Sequence, residues 1–138
     1  TLAESGFDSR VAALAIDVRR RLILELQRAG AGLLLGSDSP QVFNVPGFAT
    51  HRELDALVAA GLSPYEALYS GTAAVADFLG SNTGIVAVGR QADLVLLNAN
   101  PLTDIRNSHR IHGVMLRGDW YSAAALERRL APYRGADE

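Results

Sequence analysis

Apolar residues recur along this chain with two different periods, and the change between them falls near Gly80. Over residues 9–29, Val11, Leu14, Ala15, Val18, Leu22, Leu26 and Ala29 stand at helical spacing, which gathers them on one stripe of an α-helix. Arg19, Arg20, Glu25 and Arg28 lie mostly off that stripe, with Ser9 at the N-cap position and Gly30 at C′. After a short turn comes Leu33-Leu34-Leu35. A wholly apolar triplet in this position predicts a parallel strand buried on both faces. It stops at Gly36-Ser37-Asp38-Ser39-Pro40, so Asp38 falls at the strand's carboxyl end, where α/β folds build their sites.

Residues 41–49, with Asn44, Pro46 and Gly47, read as a loop. Thr50-His51-Arg52-Glu53 has the form of a capping box and opens a helix through Leu54, Leu57 and Val58 to Gly61. Ser63-Pro64-Tyr65-Glu66 repeats that form, with proline at the first helical position. A third short helix runs from Thr72 or Ala73 to Leu79 and stops at Gly80. Beyond it, Ile85, Val86 and Val88, then Leu94 to Leu97, then Val114 to Leu116 are β-like runs between turn residues. Gly118-Asp119 before Trp120 predicts a tight hairpin, Asn98 to Asn107 a longer loop, and Ser122 to Leu130 a closing helix. A single buried parallel strand needs neighbours on both sides to satisfy its backbone, and residues 1–80 offer no parallel partner for 33–35. The chain therefore reads as the end of a larger sheet or barrel. Thr1 in place of methionine agrees with a segment from inside a longer polypeptide, and no signal peptide is visible.

Composition narrows the chemistry. The 138 residues are 49% hydrophobic and 20% charged, enough for one domain's packed core. A net charge of −2 without any run of like charge argues against nucleic acid or an anionic membrane as partner. No apolar run approaches the ~18 residues of a membrane span, and the expected location is cytoplasmic. The chain has no cysteine, which excludes disulfides, thiolate metal sites and cysteine nucleophiles. All 13 basic residues are arginine, which excludes Schiff bases, P-loop lysines and carboxylated-lysine metal bridges within the chain.

Most remaining polar residues have structural readings. Arg19-Arg20-Arg21 is a solvated helix face, while Tyr65, Tyr69 and Phe78 have the spacing of core residues. Asp93, Asp104 and Asn107 read as turn formers. His109-x-x-His112 flanks the start of a strand with no cysteine or acidic cluster to complete a tetrahedral set, so no metal site is expected there. His51, in the first turn of its helix, reads as a solvated or substrate-loop residue, and Ser37 and Ser39 lack a triad partner.

One set of segments carries a resemblance. Its marks are Ala29-Gly30 leading into 33–40, Val45-Pro46-Gly47, His51-Arg52-Glu53-Leu54, residues 60–68, Gly89-Arg90-Gln91-Ala92-Asp93 leading into 94–97, Asn100-Pro101-Leu102-Thr103-Asp104-Ile105 and Leu116-Arg117-Gly118. In this order and spacing, from residue 10 to 130, the sequence resembles the metal-dependent amidohydrolase superfamily, in particular its imidazolonepropionase-like and dipeptidase-like branch. The resemblance implies an α/β fold: the C-terminal portion of a (β/α)8 TIM-like barrel plus the C-terminal part of a small β-sandwich. Residues 1–80 would be the last helix, last strand and following helices of the barrel, 81–121 the sandwich portion, and 122–138 a C-terminal helix and tail.

By the same resemblance Asp38 is a metal-facing carboxylate that takes a proton from water and passes it to the leaving amine. Its position alone also fits a turn former before Ser39-Pro40. Ser39 and Asn44, in the same loop, are substrate-loop candidates. The implied cofactor is a divalent metal, with zinc expected. The family's His-x-His pair, bridging lysine or glutamate and two later histidines all precede this segment, so the other ligands lie outside the chain. The implied reaction is hydrolysis of a C–N bond, amide, cyclic amide or dipeptide-like, in a small-molecule or dipeptide-like substrate. The 138 residues alone are expected to be inactive. They need the missing N-terminal barrel portion, and their open strand edges and apolar helix face predict self-association as a homo-oligomer or aggregate. The alternative is a non-catalytic structural or interaction module that works with a separate N-terminal partner.

Overall fold

In a computed structural model, residues 8–41 and 44–133 are described. The first element, α1, spans Ser9–Arg28. Its N-cap is Asp8 rather than Ser9: the Asp8 carboxylate accepts the Arg10 N–H at 2.8 Å. Both residue types cap well, so spacing alone does not choose between neighbours. Gly30, just past the end, takes the left-handed φ of 75° expected of a C′ glycine.

Three shorter helices follow. α2 is Phe48–Ala59 and starts at Gly47 without a side-chain cap. The expected box at Thr50–Glu53 therefore does not form, because the chain is already helical when it reaches Thr50. α3, Pro64–Ser70, has its box in full: the Ser63 hydroxyl accepts the Glu66 N–H at 3.2 Å, and the Glu66 carboxylate accepts the Ser63 N–H at 2.7 Å. α4, Ala73–Leu79, ends at a left-handed Gly80.

The second half holds an antiparallel sheet in the order β1 (Leu94–Leu97), β2 (Ile111–Leu116), β3 (Asp119–Ser122). A 3-10 helix, Ile105–His109, interrupts what the sequence suggests is plain loop; the Asp104 carboxylate accepts the Arg106 N–H at 3.0 Å and starts it. The β2–β3 turn is Arg117-Gly118, with φ of 52° and 91°, the left-handed pair that matches strand twist in two-residue hairpins. This turn is anchored to the residues that lead into β1. The Gly118 N–H bonds the Ala92 carbonyl at 3.0 Å, and Asp93 accepts the Arg117 N–H at 2.7 Å and the Gln91 amide at 2.5 Å. Gly113 in β2 lies under the Trp120 indole, where any Cβ would collide with the ring. The chain closes with α5, Ala123–Leu130, capped by Ser122, and a turn of 3-10 helix at Ala131–Tyr133.

The core gathers Leu54 and Leu57 of α2, Leu62, Ala67 of α3 and Ile105 of the 3-10 helix, with Ile23, Leu24, Leu33, Leu35, Val58 and Leu68 packed around them. Removing this apolar surface from water holds the two halves together. Several apolar segments find no such cover. Leu33–Leu35 forms no strand: the Leu35 N–H bonds the Ser70 carbonyl at 3.0 Å, and no ladder partner lies beside it among the described residues. Ile85, Val86 and Val88 likewise form no strand, and all three are exposed. Tyr65, Tyr69 and Phe78 are exposed rather than in the core, the two tyrosines stacking on each other at 6.0 Å. The α1 stripe is exposed at Val11, Leu14, Val18 and Leu22. Its polar side carries the i,i+3 pairs Arg20–Asp17 at 4.0 Å and Arg28–Glu25 at 3.1 Å. No described helix is long and apolar enough to cross a membrane. The result is a mixed α/β structure with one three-stranded antiparallel sheet. Thr1 and the tail beyond Tyr133 lie outside the described residues.

Candidate functional site

Asp38, Ser39 and Asn44 share one loop, held by its own hydrogen bonds. Asp38 is exposed and takes a left-handed φ of 52°, a conformation aspartate tolerates better than most side chains. The Gln41 amide donates to the Asp38 carboxylate at 2.6 Å and fixes one of its oxygens. The Ser37 hydroxyl donates to that of Ser39 at 3.1 Å. The Asn44 side-chain amide donates to the Ser37 carbonyl, and the Asn44 N–H bonds the Gln41 carbonyl at 2.9 Å. The loop therefore presents one oriented, solvent-facing carboxylate. Such a group can hold or move a proton, or offer a metal a single oxygen donor. Asn44 is committed to the backbone of its own loop.

A second constellation was missed by the reading of the sequence. The rings of His51 in α2 and His109 in the 3-10 helix stack with centroids 4.3 Å apart and planes 28° from parallel. His51 Nδ1 lies 3.1 Å from the Ser108 hydroxyl, and His109 Nε2 lies 3.6 Å from Asp55, one turn along α2 from His51. The other Asp55 oxygen, Oδ1, is buried and finds no hydrogen-bond partner among the described residues. Burial, aided by the neighbouring His109, pushes the His51 imidazole below its ordinary pKa, against the pull of Asp55. His51 is thus partly buried and paired rather than a solvated loop residue. The His51/Asp55 spacing was visible as an i,i+4 pair on one helix face. Nothing local announced His109 as its neighbour. His112 turns elsewhere, its Nδ1 lying 3.0 Å from the Asn98 side-chain oxygen.

A cavity of about 690 Å³ opens between the helices and the sheet, lined by Leu35, Leu54, Leu68, Leu94, Met115 and Trp120 and bordered by His51 and Ser108. Asp38 is not in its wall. Its lining is mostly apolar, with Thr50, Thr72 and Asp93 among its polar members.

These features sit in a recognisable sequence frame. The chain matches the Amidohydrolase family over residues 2–121 and belongs to it. Among solved structures, it is similar to a prolidase candidate from Bifidobacterium longum, at 43% identity over 74% of this chain and 25% of that one, with a TM-score of 0.66. It is similar to molinate hydrolase at 26% identity over 72% of this chain and 25% of that one, with a TM-score of 0.60. A Xaa-Pro dipeptidase with methionine bound in its active site shares the fold at a TM-score of 0.65, 22% identity, and coverage of 75% and 25% of the two chains. The chain spans about a quarter of the length of each of these structures. No curated protein matches it.

Proposed function

We propose that this chain is the C-terminal part of a hydrolase that cleaves C–N bonds in a dipeptide-like or other small amide substrate, with Asp38 as its general base. In this reading residues 1–80 supply the last helix, last strand and following helices of a (β/α)8 barrel. Residues 81–121 supply part of a β-sandwich, and 122–138 a closing helix and tail. The observation that carries it is the family match over residues 2–121 together with Asp38 standing exposed just past Leu33–Leu35, its carboxylate oriented by Gln41. A dipeptide-like substrate is supported by the 43% identity to the prolidase candidate.

A divalent metal, zinc by the family resemblance, when bound lowers the pKa of a coordinated water toward ~7 and polarises the scissile carbonyl. The described residues do not form a binding site for it by themselves: no group of three His, Cys, Asp or Glu side chains among them is arranged to hold a metal ion. A catalytic zinc takes about three protein ligands, and Asp38 offers one. The remaining donors belong to the part of the enzyme outside this chain, and the 138 residues alone turn over nothing. What this chain contributes is proton traffic. Asp38 accepts the proton of the attacking water and returns it to the departing amine nitrogen, a role suited to a solvent-facing carboxylate. Ser39 and Asn44 shape the loop that carries it.

Asp38→Asn in the complete polypeptide tests the assignment. The amide keeps the shape and the Gln41 contact partner but cannot accept the proton. Turnover of dipeptide-like substrates is expected to fall by about 10²–10⁴-fold, with circular dichroism and melting unchanged. Near-normal rates in this variant would sink the general-base role.

A further inference from the structure

We propose that the stacked His51–His109 pair over Asp55 is a pH-sensitive latch between α2 and the 3-10 helix, closed while the pair carries at most one proton and open when it carries two. Three features of the junction carry this inference. First, the rings lie face to face at 4.3 Å, a contact that two neutral imidazoles or one neutral and one charged ring tolerate, and that two cations do not. Second, among the described residues the carboxylate paired with these rings is Asp55, 3.6 Å from His109 Nε2. It can neutralise a single proton, and its buried Oδ1, unpartnered among the described residues, favours having that proton close by. Third, the pair joins the two halves of the molecule where Ile105 enters the core beside Leu54 and Leu57, so its charge state bears on how the halves pack.

The surrounding charges leave the arithmetic intact. On α2, Arg52 and Glu53 adjoin His51 in sequence. On the 3-10 helix, Arg106 also feels Asp55 but is bound to Asp104, its guanidinium 2.7 Å from the carboxylate. β1, which packs on the 3-10 helix, has no titratable side chain in Leu94–Leu97. α3 packs on α2, and its Glu66 is engaged by Ser63 and Gln27. α1 also packs on α2, and its Arg20 and Arg28 pair with Asp17 and Glu25 on the same helix. Asp55 thus stands among His51, His109 and Arg106, and it is the carboxylate that faces the pair. Burial of His51 and the charge of His109 act in the same direction, holding the His51 imidazole below its unfolded value. The unfolded chain therefore binds more protons in the window just below ~6.5, and the latch is complete above that pH and weakens as pH falls through the window.

Hydrogen exchange read by mass spectrometry on the complete polypeptide, between pH 8 and pH 5 and corrected for intrinsic rates, tests the latch. Protection of amides 105–110 is expected to fall by about tenfold for each pH unit by which the second protonation is suppressed in the closed form. The strands at 94–97 and 113–121 are expected to keep their protection. His51→Gln removes the buried imidazole, so protection at 105–110 in that variant should become flat over the same range; His109→Gln removes the neighbouring charge but leaves His51 buried, so its acid loss should shrink without vanishing. His109 is the more exposed of the two, which makes its variant the safer one for folding. A wild-type profile flat with pH, or an identical acid loss in His109→Gln, overturns the proposal.

Discussion

α1 runs for 20 residues without burying one of them, whereas α2, at 12 residues, buries Ala49, Leu54 and Leu57. Both have an apolar face. The difference is that α2 meets α3 and the 3-10 helix, while α1 meets the rest near its end, where Ile23 and Leu24 pack on the core and Gln27 bonds Glu66. An amphipathic stripe states that a helix seeks cover; it does not state where the cover comes from. A bare apolar stripe of this kind is a face that another part of a protein covers. In the proposed barrel that part is the missing N-terminal portion. A chain spanning a quarter of its structural relatives leaves ample length for it.

The contrast can be tested directly. Leu57→Ala in the complete polypeptide is expected to cost about 2–4 kcal/mol of stability by urea unfolding. Leu22→Ala on α1 should cost about 2 kcal/mol as well if the face is covered there; a change within about 0.5 kcal/mol would mean that α1 stays bare and would break the barrel reading. On the sheet side, Gly113→Ala should cost about 1–3 kcal/mol through overpacking against the indole. In a double-mutant cycle with Trp120→Leu that penalty should shrink, and additive losses would show that the ring is not what excludes a side chain. The smallest effect is at the α3 cap. Ser63→Ala should cost about 1 kcal/mol near neutral pH. Bonds from the Ser63 side chain and backbone, then Gln27, hold the Glu66 carboxyl below its ordinary range. Its contribution is present above that range and disappears as pH falls through the folded value, so the gap between variant and wild type should narrow in acid to what the Ser63 hydroxyl gains from the Glu66 N–H. A gap of constant size would remove Glu66 from the account.

What the sequence made legible follows from how local each signal is. The Ser63 box and the left-handed Gly30 and Gly80 are decided within four residues, and each stands where the pattern places it; the hairpin expected at Gly118-Asp119 turns one residue earlier, at Arg117-Gly118, because Asp119 already pairs with Leu116 in the ladder. The Asp93 turn role is equally local in kind, although its partner Arg117 is distant. Leu33–Leu35 and Ile85–Val88 show the opposite case: an apolar run becomes a strand only when a neighbouring backbone pairs with it in a ladder, and no ladder forms beside either among the described residues, the single Leu35 to Ser70 bond notwithstanding. Tyr65, Tyr69 and Phe78 had the period of a core but face outward, because period fixes a face and not its surroundings. At the candidate site, Asp38, Ser39 and Asn44 fell within one short loop and were found together. His51 and His109 were not paired in advance, since their meeting depends on α2 packing against the 3-10 helix.

The stretch from Asn98 to Arg110 has its two ends fastened to each other: the Asn98 N–H bonds the Arg110 carbonyl at 2.8 Å, and His112 bonds the Asn98 side chain at 3.0 Å. Inside it, Asn100 ties back Leu102, Thr103 and Asn107. Mechanically this is a closed loop hung on the margin of a plate. The knot at Asn98 stands between the 3-10 helix and the ladder of β1 and β2, while Ile105 and His109 fasten the helix to α2. Displacement of the 3-10 helix and rupture of the sheet are therefore separate events, with the first available to the molecule without the second.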